Sequence, residues 1–123
     1  MRTLAILALL TAAFISSTVT AAQTSATYPV KPIRLVVAFS PGGTPDMLAR
    51  MFAPKMSEAW KQPVIVENRP GASGIIGAAI VAKAAPDGYT ILAGSPGFSI
   101  TAALTPNLPY DPIKDFAGVA QLG

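Results

Sequence analysis

The sequence predicts an α/β fold built on a mostly parallel sheet with flanking helices. Three observations carry this reading. Short runs rich in β-formers stand at 33–39, 64–67 and 89–93. Between them lie longer stretches with apolar residues at helical spacing, and each strand-like run ends in a Gly- or Pro-containing reversal. Strand, helix, strand, helix, strand in that order implies parallel strands joined by right-handed crossovers. With 51% hydrophobic and only 12% charged residues, the chain is too apolar and too weakly charged for a disordered one. Its 123 residues give room for one domain at most.

Residues 1–22 read as an address. Met1 and Arg2 make a positive start, Leu4 to Ile15 is an apolar run, and small residues through Ala21-Ala22 follow. This is the pattern of a secretory signal peptide, and the run is shorter than the roughly 20 residues that span a bilayer. No Cys follows the expected cleavage site, so lipid attachment there is excluded. Residues 23–123 are expected to be exported, and 24–31 to be a flexible lead-in.

The first strand, Ile33 to Phe39, lies between Pro32 and Pro41. Ser40-Pro41-Gly42-Gly43-Thr44 is a turn. Thr44 is expected to cap a helix with Pro45 at its first position and Asp46 in its first turn. Leu48, Met51, Phe52, Met56, Ala59 and Trp60 recur at helical spacing, and Met47, Met51, Met56 and Trp60 read as packing residues. Pro54 inside this pattern predicts a kink or break near Arg50. Val64 to Glu67 is the second strand and Asn68 to Gly74 the second loop. Ile75 to Ala85, apolar nearly all round, predicts a buried helix. Tyr89 to Ala93 is the third strand, Gly94 to Gly97 the third loop, and a short helix is expected through Ala103. Phe116 to Leu122 reads as a fourth strand.

Several chemistries are excluded. The chain has no Cys and no His, which removes disulfides, thiolate ligands and Ser-His-Asp catalysis. The formal charge is +3, but the cations are scattered, so no nucleic-acid-binding stripe forms. The P-loop pattern is absent, because no Lys-Ser/Thr pair follows Gly43, and Gly71, Gly74 and Gly77 do not have dinucleotide spacing. No cofactor is implied.

What remains is a neutral cradle. The loops beginning at Ser40, Asn68 and Gly94 all follow strands, so they share the carboxyl edge of the sheet, where ligands of open α/β folds bind. Glycines allow close approach, and free N–H groups at helix starts favour anions. Ser40, Thr44, Ser73, Ser95 and Ser99 add hydroxyls. Singly, each loop is as well explained as a chain reversal. Arg69 alone reads as solvated, and Asp46 as a helix-start residue.

Five runs make the sequence more than generic: Tyr28-Pro29-x-Lys31-Pro32-Ile33-Arg34-Leu35-Val36-Val37; Phe39-x-Pro41-Gly42-Gly43-x-x-Asp46-x-x-Ala49-Arg50; Val66 to Ala72, then Gly74 and Ile76-Gly77-Ala78; Ala85-Pro86-Asp87-Gly88-Tyr89-Thr90; and Leu108-Pro109-Tyr110-Asp111-Pro112 with Lys114-Asp115-Phe116. Together they strongly resemble the Bug family, substrate-binding components of tripartite tricarboxylate transporters. The resemblance implies a type II periplasmic-binding fold of two lobes around a cleft. It also implies capture of small carboxylates, a periplasmic location, membrane permease subunits as partners, and a monomer when complete. Residues 23–123 would be the first lobe, incomplete, so that ligand binding by this chain alone is expected to be weak or absent. Carried over, ligand contacts fall on Ser40, Gly42, Gly43 and Thr44 and on Ala72, Ser73, Gly74 and Ile75, with Ser95 and Ser99 as selectivity contacts. Ser73 stands where the family commonly has glycine, and Ile75 where it commonly has a polar residue. The competing readings are an exported α/β hydrolytic enzyme domain and a truncated remnant without function.

Overall fold

A computed structural model describes residues 27–121. The signal-peptide reading of 1–22 lies outside the described residues. Three parallel strands form the sheet: β1 (Ile33–Val37), β2 (Val64–Asn68) and β3 (Thr90–Ala93), in the order β2-β1-β3. Helix α1 (Thr44–Trp60) joins β1 to β2, helix α2 (Ile75–Ala82) leads to β3, and helix α3 (Pro96–Leu104) follows it.

The central strand is the most buried. Ile33, Val36 and Val37 are fully enclosed, whereas the edge strands are half-buried. Leu35 and Val37 pack with Ala49 of α1, together with Val64, Val66 and Ile91 from the flanking strands. Burying these side chains supplies the main folding drive, at about 25 cal/mol per Å² of apolar surface. On the α2 side, Gly77 approaches the backbone directly. A Cβ built there would lie 2.7 Å from the Ala38 Cα and 2.8 Å from the Arg69 carbonyl oxygen. Only glycine permits that helix–sheet contact.

Four expectations change. The chain α1 runs unbroken through Pro54. Pro54 is exposed, as is Arg50, whose carbonyl the missing N–H leaves without its intrahelical partner. The buried stripe of α1 runs through Asp46, Ala49 and Ala53, leaving Met47 and Met51 65% and 54% exposed. Small residues let the helix sit close to the sheet, which turns the methionines outward. No strand is found at 116–121. Phe116 instead packs edge-on against Phe98 and Tyr110, at 5.2 and 5.6 Å between ring centroids. That cluster draws the segment onto α3 and away from a strand ladder. The lead-in is tethered from Tyr28 onward. The Tyr28 hydroxyl donates to the Gly88 carbonyl at 2.7 Å, and the Val30 amide donates to the Tyr89 hydroxyl at 2.8 Å. Among the described residues, no helix is long and apolar enough to cross a membrane.

Candidate functional site

The ladder fixes the site's geometry. Val37 is level with Asn68 on one side and with Ala93 on the other. Because all three strands run the same way, the loops after them open from one edge of the sheet.

The first loop is shaped by a buried carboxylate. Asp46 is only 3% exposed and accepts hydrogen bonds from three groups. The Gly42 amide donates to it at 2.8 Å, Arg50 Nε at 3.0 and 3.1 Å, and Asn68 Nδ2 at 2.9 Å. The Gly42 amide, then Arg50 and Asn68, hold its carboxyl down from 3.8 to about 2. Asn68 Nδ2 also donates to the Phe39 carbonyl at 3.2 Å, and Arg50 donates to Asn68 Oδ1 at 2.9 Å. One cluster therefore ties the end of β1, the first loop, α1 and the end of β2. The sequence identified Asp46 as a helix-start residue, and its place in the first turn agrees. What it could not show is the long-range partner, Asn68.

The helix cap is corrected by the same cluster. Gly43 is the N-cap, Thr44 is the first helical residue, and no side chain caps the helix from the N-cap position. Asp46 reaches back to the Gly42 amide instead. The Gly42 N–H is thus committed inside the protein. The Thr44 amide, at the first position of α1, has no intrahelical acceptor. Ser40 and Thr44 are exposed at this loop.

The second loop is a left-handed turn. Gly71, Ala72, Ser73 and Gly74 have φ of 136°, 45°, 54° and 93°. For the two residues with a Cβ this conformation costs roughly 1–2 kcal/mol each. The turn is closed by the Gly74 amide donating to the Gly71 carbonyl at 3.0 Å and by the Ile75 amide donating to that of Ala72. The Ala72 and Ser73 amides are left outside those bonds. Ala72 and Ser73 are exposed, Gly74 is buried and Ile75 half-buried.

In the third loop Ser95 is the N-cap of α3, and its carbonyl accepts from the Phe98 amide at 2.9 Å. Ser99 is exposed one turn into that helix. The second and third loops meet: Thr101 Oγ1 donates to the Ser73 carbonyl at 3.4 Å. Beside this contact an open groove of about 390 Å³ runs between the turn and α3, lined by Ala72, Ser73, Ile75, Ile100, Thr101 and Leu104.

Near the same edge, Glu67 lies between two arginines. Arg34 meets it with two hydrogen bonds at 2.9 and 3.0 Å, and Arg69 adds two at 3.1 and 3.4 Å. Arg34, then Arg69, hold the Glu67 carboxyl down from 4.5 to about 2. Arg69 is therefore paired rather than simply solvated. Among the described residues no group of three His, Cys, Asp or Glu side chains could hold a metal ion.

The arrangement is an α/β fold whose carboxyl edge offers backbone amides and hydroxyls. Comparison with known proteins gives the same class. The family model described as "Tripartite tricarboxylate transporter family receptor" matches residues 48–123, and the chain belongs to that family. It is 42% identical over 113 residues to protein BugT of Bordetella pertussis, covering 89% of this chain and 35% of that protein. It is 48% identical over 98 residues to an Agrobacterium vitis protein, covering 80% of this chain and 28% of the relative. This chain thus spans about a third of the length of the curated relatives it matches. Among solved structures, the periplasmic binding protein BugD aligns with TM-score 0.66 and 42% identity over 72% of this chain and 30% of its own. MatC from Rhodopseudomonas palustris with bound malate aligns with TM-score 0.65 and 40% identity, over 72% of this chain and 31% of MatC. A further R. palustris protein, solved with adipate, aligns with TM-score 0.64 and 42% identity, over 69% of this chain and 29% of that one. The predicted fold class, an α/β periplasmic-binding-protein-like lobe, is the one observed.

Proposed function

We propose that this chain supplies one wall of a carboxylate-binding cleft in an extracytoplasmic solute-binding protein that serves a tripartite transporter. The single observation that carries this reading is the convergence of three strand-following loops on one sheet edge. There the amides of Thr44, Ala72 and Ser73 lie outside the hydrogen bonds among the described residues. Such amides, one of them at a helix start, favour a carboxylate. Two similar proteins solved with malate and with adipate support a small dicarboxylate as the ligand class.

In this reading Gly42 and Gly43 keep the first-loop backbone open to the ligand, and Gly74 lets the second loop hold its left-handed turn against Phe39. Ser40, Thr44 and Ser73 add hydroxyls, and Ile75 shapes the apolar side. Ser95 and Ser99 contact the distal part of the guest. The protein binds and releases without catalysis, needs no cofactor, works in the periplasm after removal of residues 1–22, and hands its ligand to permease subunits. Residues 23–123 form the first lobe. A site that encloses most of a ligand needs a second wall, so binding by this chain alone is weak, with a dissociation constant of about 1 mM or higher.

The test is an amide chemical-shift titration of the 123-residue chain. Malate and adipate are expected to move the Gly43, Thr44, Ala72 and Ser73 resonances together, while a diamine of matched length moves none of them. Shifts mapping to the opposite edge of the sheet, or equal shifts with the diamine, overturn the reading. Micromolar affinity in calorimetry would overturn the one-wall part of it.

A further inference from the structure

We propose that Phe39 is a positioning residue for this edge: its backbone is fixed by the first-loop clamp, and its ring sets the spacing of the second and third loops. The backbone half rests on the hydrogen bond from Asn68 Nδ2 to the Phe39 carbonyl, with Asn68 itself held by Asp46 and Arg50. The ring half rests on two glycines from different loops. A Cβ built on Gly74 would lie 3.3 Å from Phe39 Cζ, and one built on Gly97 would lie 3.6 Å from the same atom. The tip of one ring therefore stands where a side chain on either the second loop or the start of α3 would meet it.

The space around the ring is apolar and nearly full. The crevice bounded by Phe39, Gly74, Leu92, Gly94 and Phe98 measures about 10 Å³, room for no more than about one water. In such a close-packed contact a displacement of the ring is transmitted rather than absorbed. A shift of the first-loop clamp accordingly reaches Gly74 and Gly97 through Phe39, although the hydrogen bonds of Asp46 go to Gly42, Arg50 and Asn68. The consequence for ligand capture, a rim whose three parts keep a common spacing, rests on the function proposed above. The coupling itself does not, and it is measured without ligand.

The experiment uses the full chain and backbone amide hydrogen exchange. The reporters are the Gly74 and Phe98 amides, which close the second and third loops, and the reference amides are Ile33 and Arg34 at the far edge. In the Phe39→Leu variant, Gly74 and Phe98 are expected to exchange on the order of tenfold faster relative to the references, as for local rather than global opening. Asn68→Ala, which frees the Phe39 carbonyl but leaves the ring in place, is expected to accelerate the same two amides. Equal acceleration of all four amides in Phe39→Leu reduces Phe39 to an ordinary core residue and overturns the proposal. So does an Asn68→Ala variant whose Phe98-to-Arg34 exchange ratio is unchanged. Should Phe39→Leu fail to fold, nuclear Overhauser contacts from the Phe39 ζ proton to the Gly74 and Gly97 α protons in the unmodified chain decide the matter. Their absence overturns it.

Discussion

The two edges of the sheet use polar side chains in opposite ways. At the amino edge, side chains satisfy one another and the strap that precedes β1. Lys31 pairs with Asp87 at 3.1 Å and sits 4.2 Å from the Tyr89 ring centroid, while Tyr28 meets Tyr89 edge-on at 5.0 Å. At the carboxyl edge, Asp46 and Asn68 hold backbone atoms of the first loop, and the second loop is held in a left-handed conformation. The first edge is closed by its own side chains. The second has its framework fixed and its outermost amides left over. That contrast separates an edge satisfied by its own side chains from one whose loops keep backbone amides outside the hydrogen bonds of the described residues.

The comparison can be broken most forcefully at Gly77. Gly77→Val would drive a side chain into backbone on two sides, at Ala38 and Arg69, since even a Cβ lies under 3 Å from each. Overpacking of this kind costs about 3 kcal/mol, to be read as a lower urea midpoint. Next comes the acid response. Asp46 and Glu67 both have carboxyls lowered to about 2, from 3.8 and 4.5. Depressed folded-state values stabilise the protein above the unfolded values and lose that contribution as pH falls through the folded ones. The urea midpoint is therefore expected to fall as pH drops from about 4.5 to 2. In Asp46→Asn it should start lower at pH 6, and the decline below pH 4 should be shallower. An unchanged slope would mean that the carboxylate does not hold the first loop.

Smaller effects sharpen the contrast. Gly74→Ala puts a Cβ on a backbone at φ 93° and 3.3 Å from Phe39 Cζ, a cost of roughly 1–2 kcal/mol in chemical denaturation. Tyr89→Phe removes the acceptor of the Val30 amide, worth about 1 kcal/mol, and should release the strap without altering the carboxyl-edge amide resonances. Lys31→Ala should change the urea midpoint least, because the ion pair it breaks is largely solvated.

Much of the fold was legible because its signals are local. The three strands, the two crossovers and the sharing of one edge by the loops at Ser40, Asn68 and Gly94 follow from β-rich runs, helical spacing and Gly/Pro reversals read in order. Chain reversals with glycine and small polar residues likewise marked the candidate site residues. The misreadings depended on burial or on a distant partner. Pro54 looks like a break until its exposure is known. Phe116 looks like the start of a strand until Phe98 and Tyr110 capture it. The lead-in looks loose until Tyr89 and Gly88, some 60 residues away, hold it.

The site divides along the same line. Phe39 reads in the sequence as the last residue of a strand, and Asn68 as the first of a loop. Nothing in their spacing announces that one accepts a hydrogen bond from the other, or that the ring of Phe39 reaches Gly74 and Gly97. The order of elements, and with it the edge at which the loops open, was determined by residues acting on their near neighbours. Which amides are spent inside and which remain outside was decided only when α1, β2 and the three loops closed around Asp46 and Phe39. A hydrogen bond or a ring contact between segments far apart in the chain leaves no period or spacing to read.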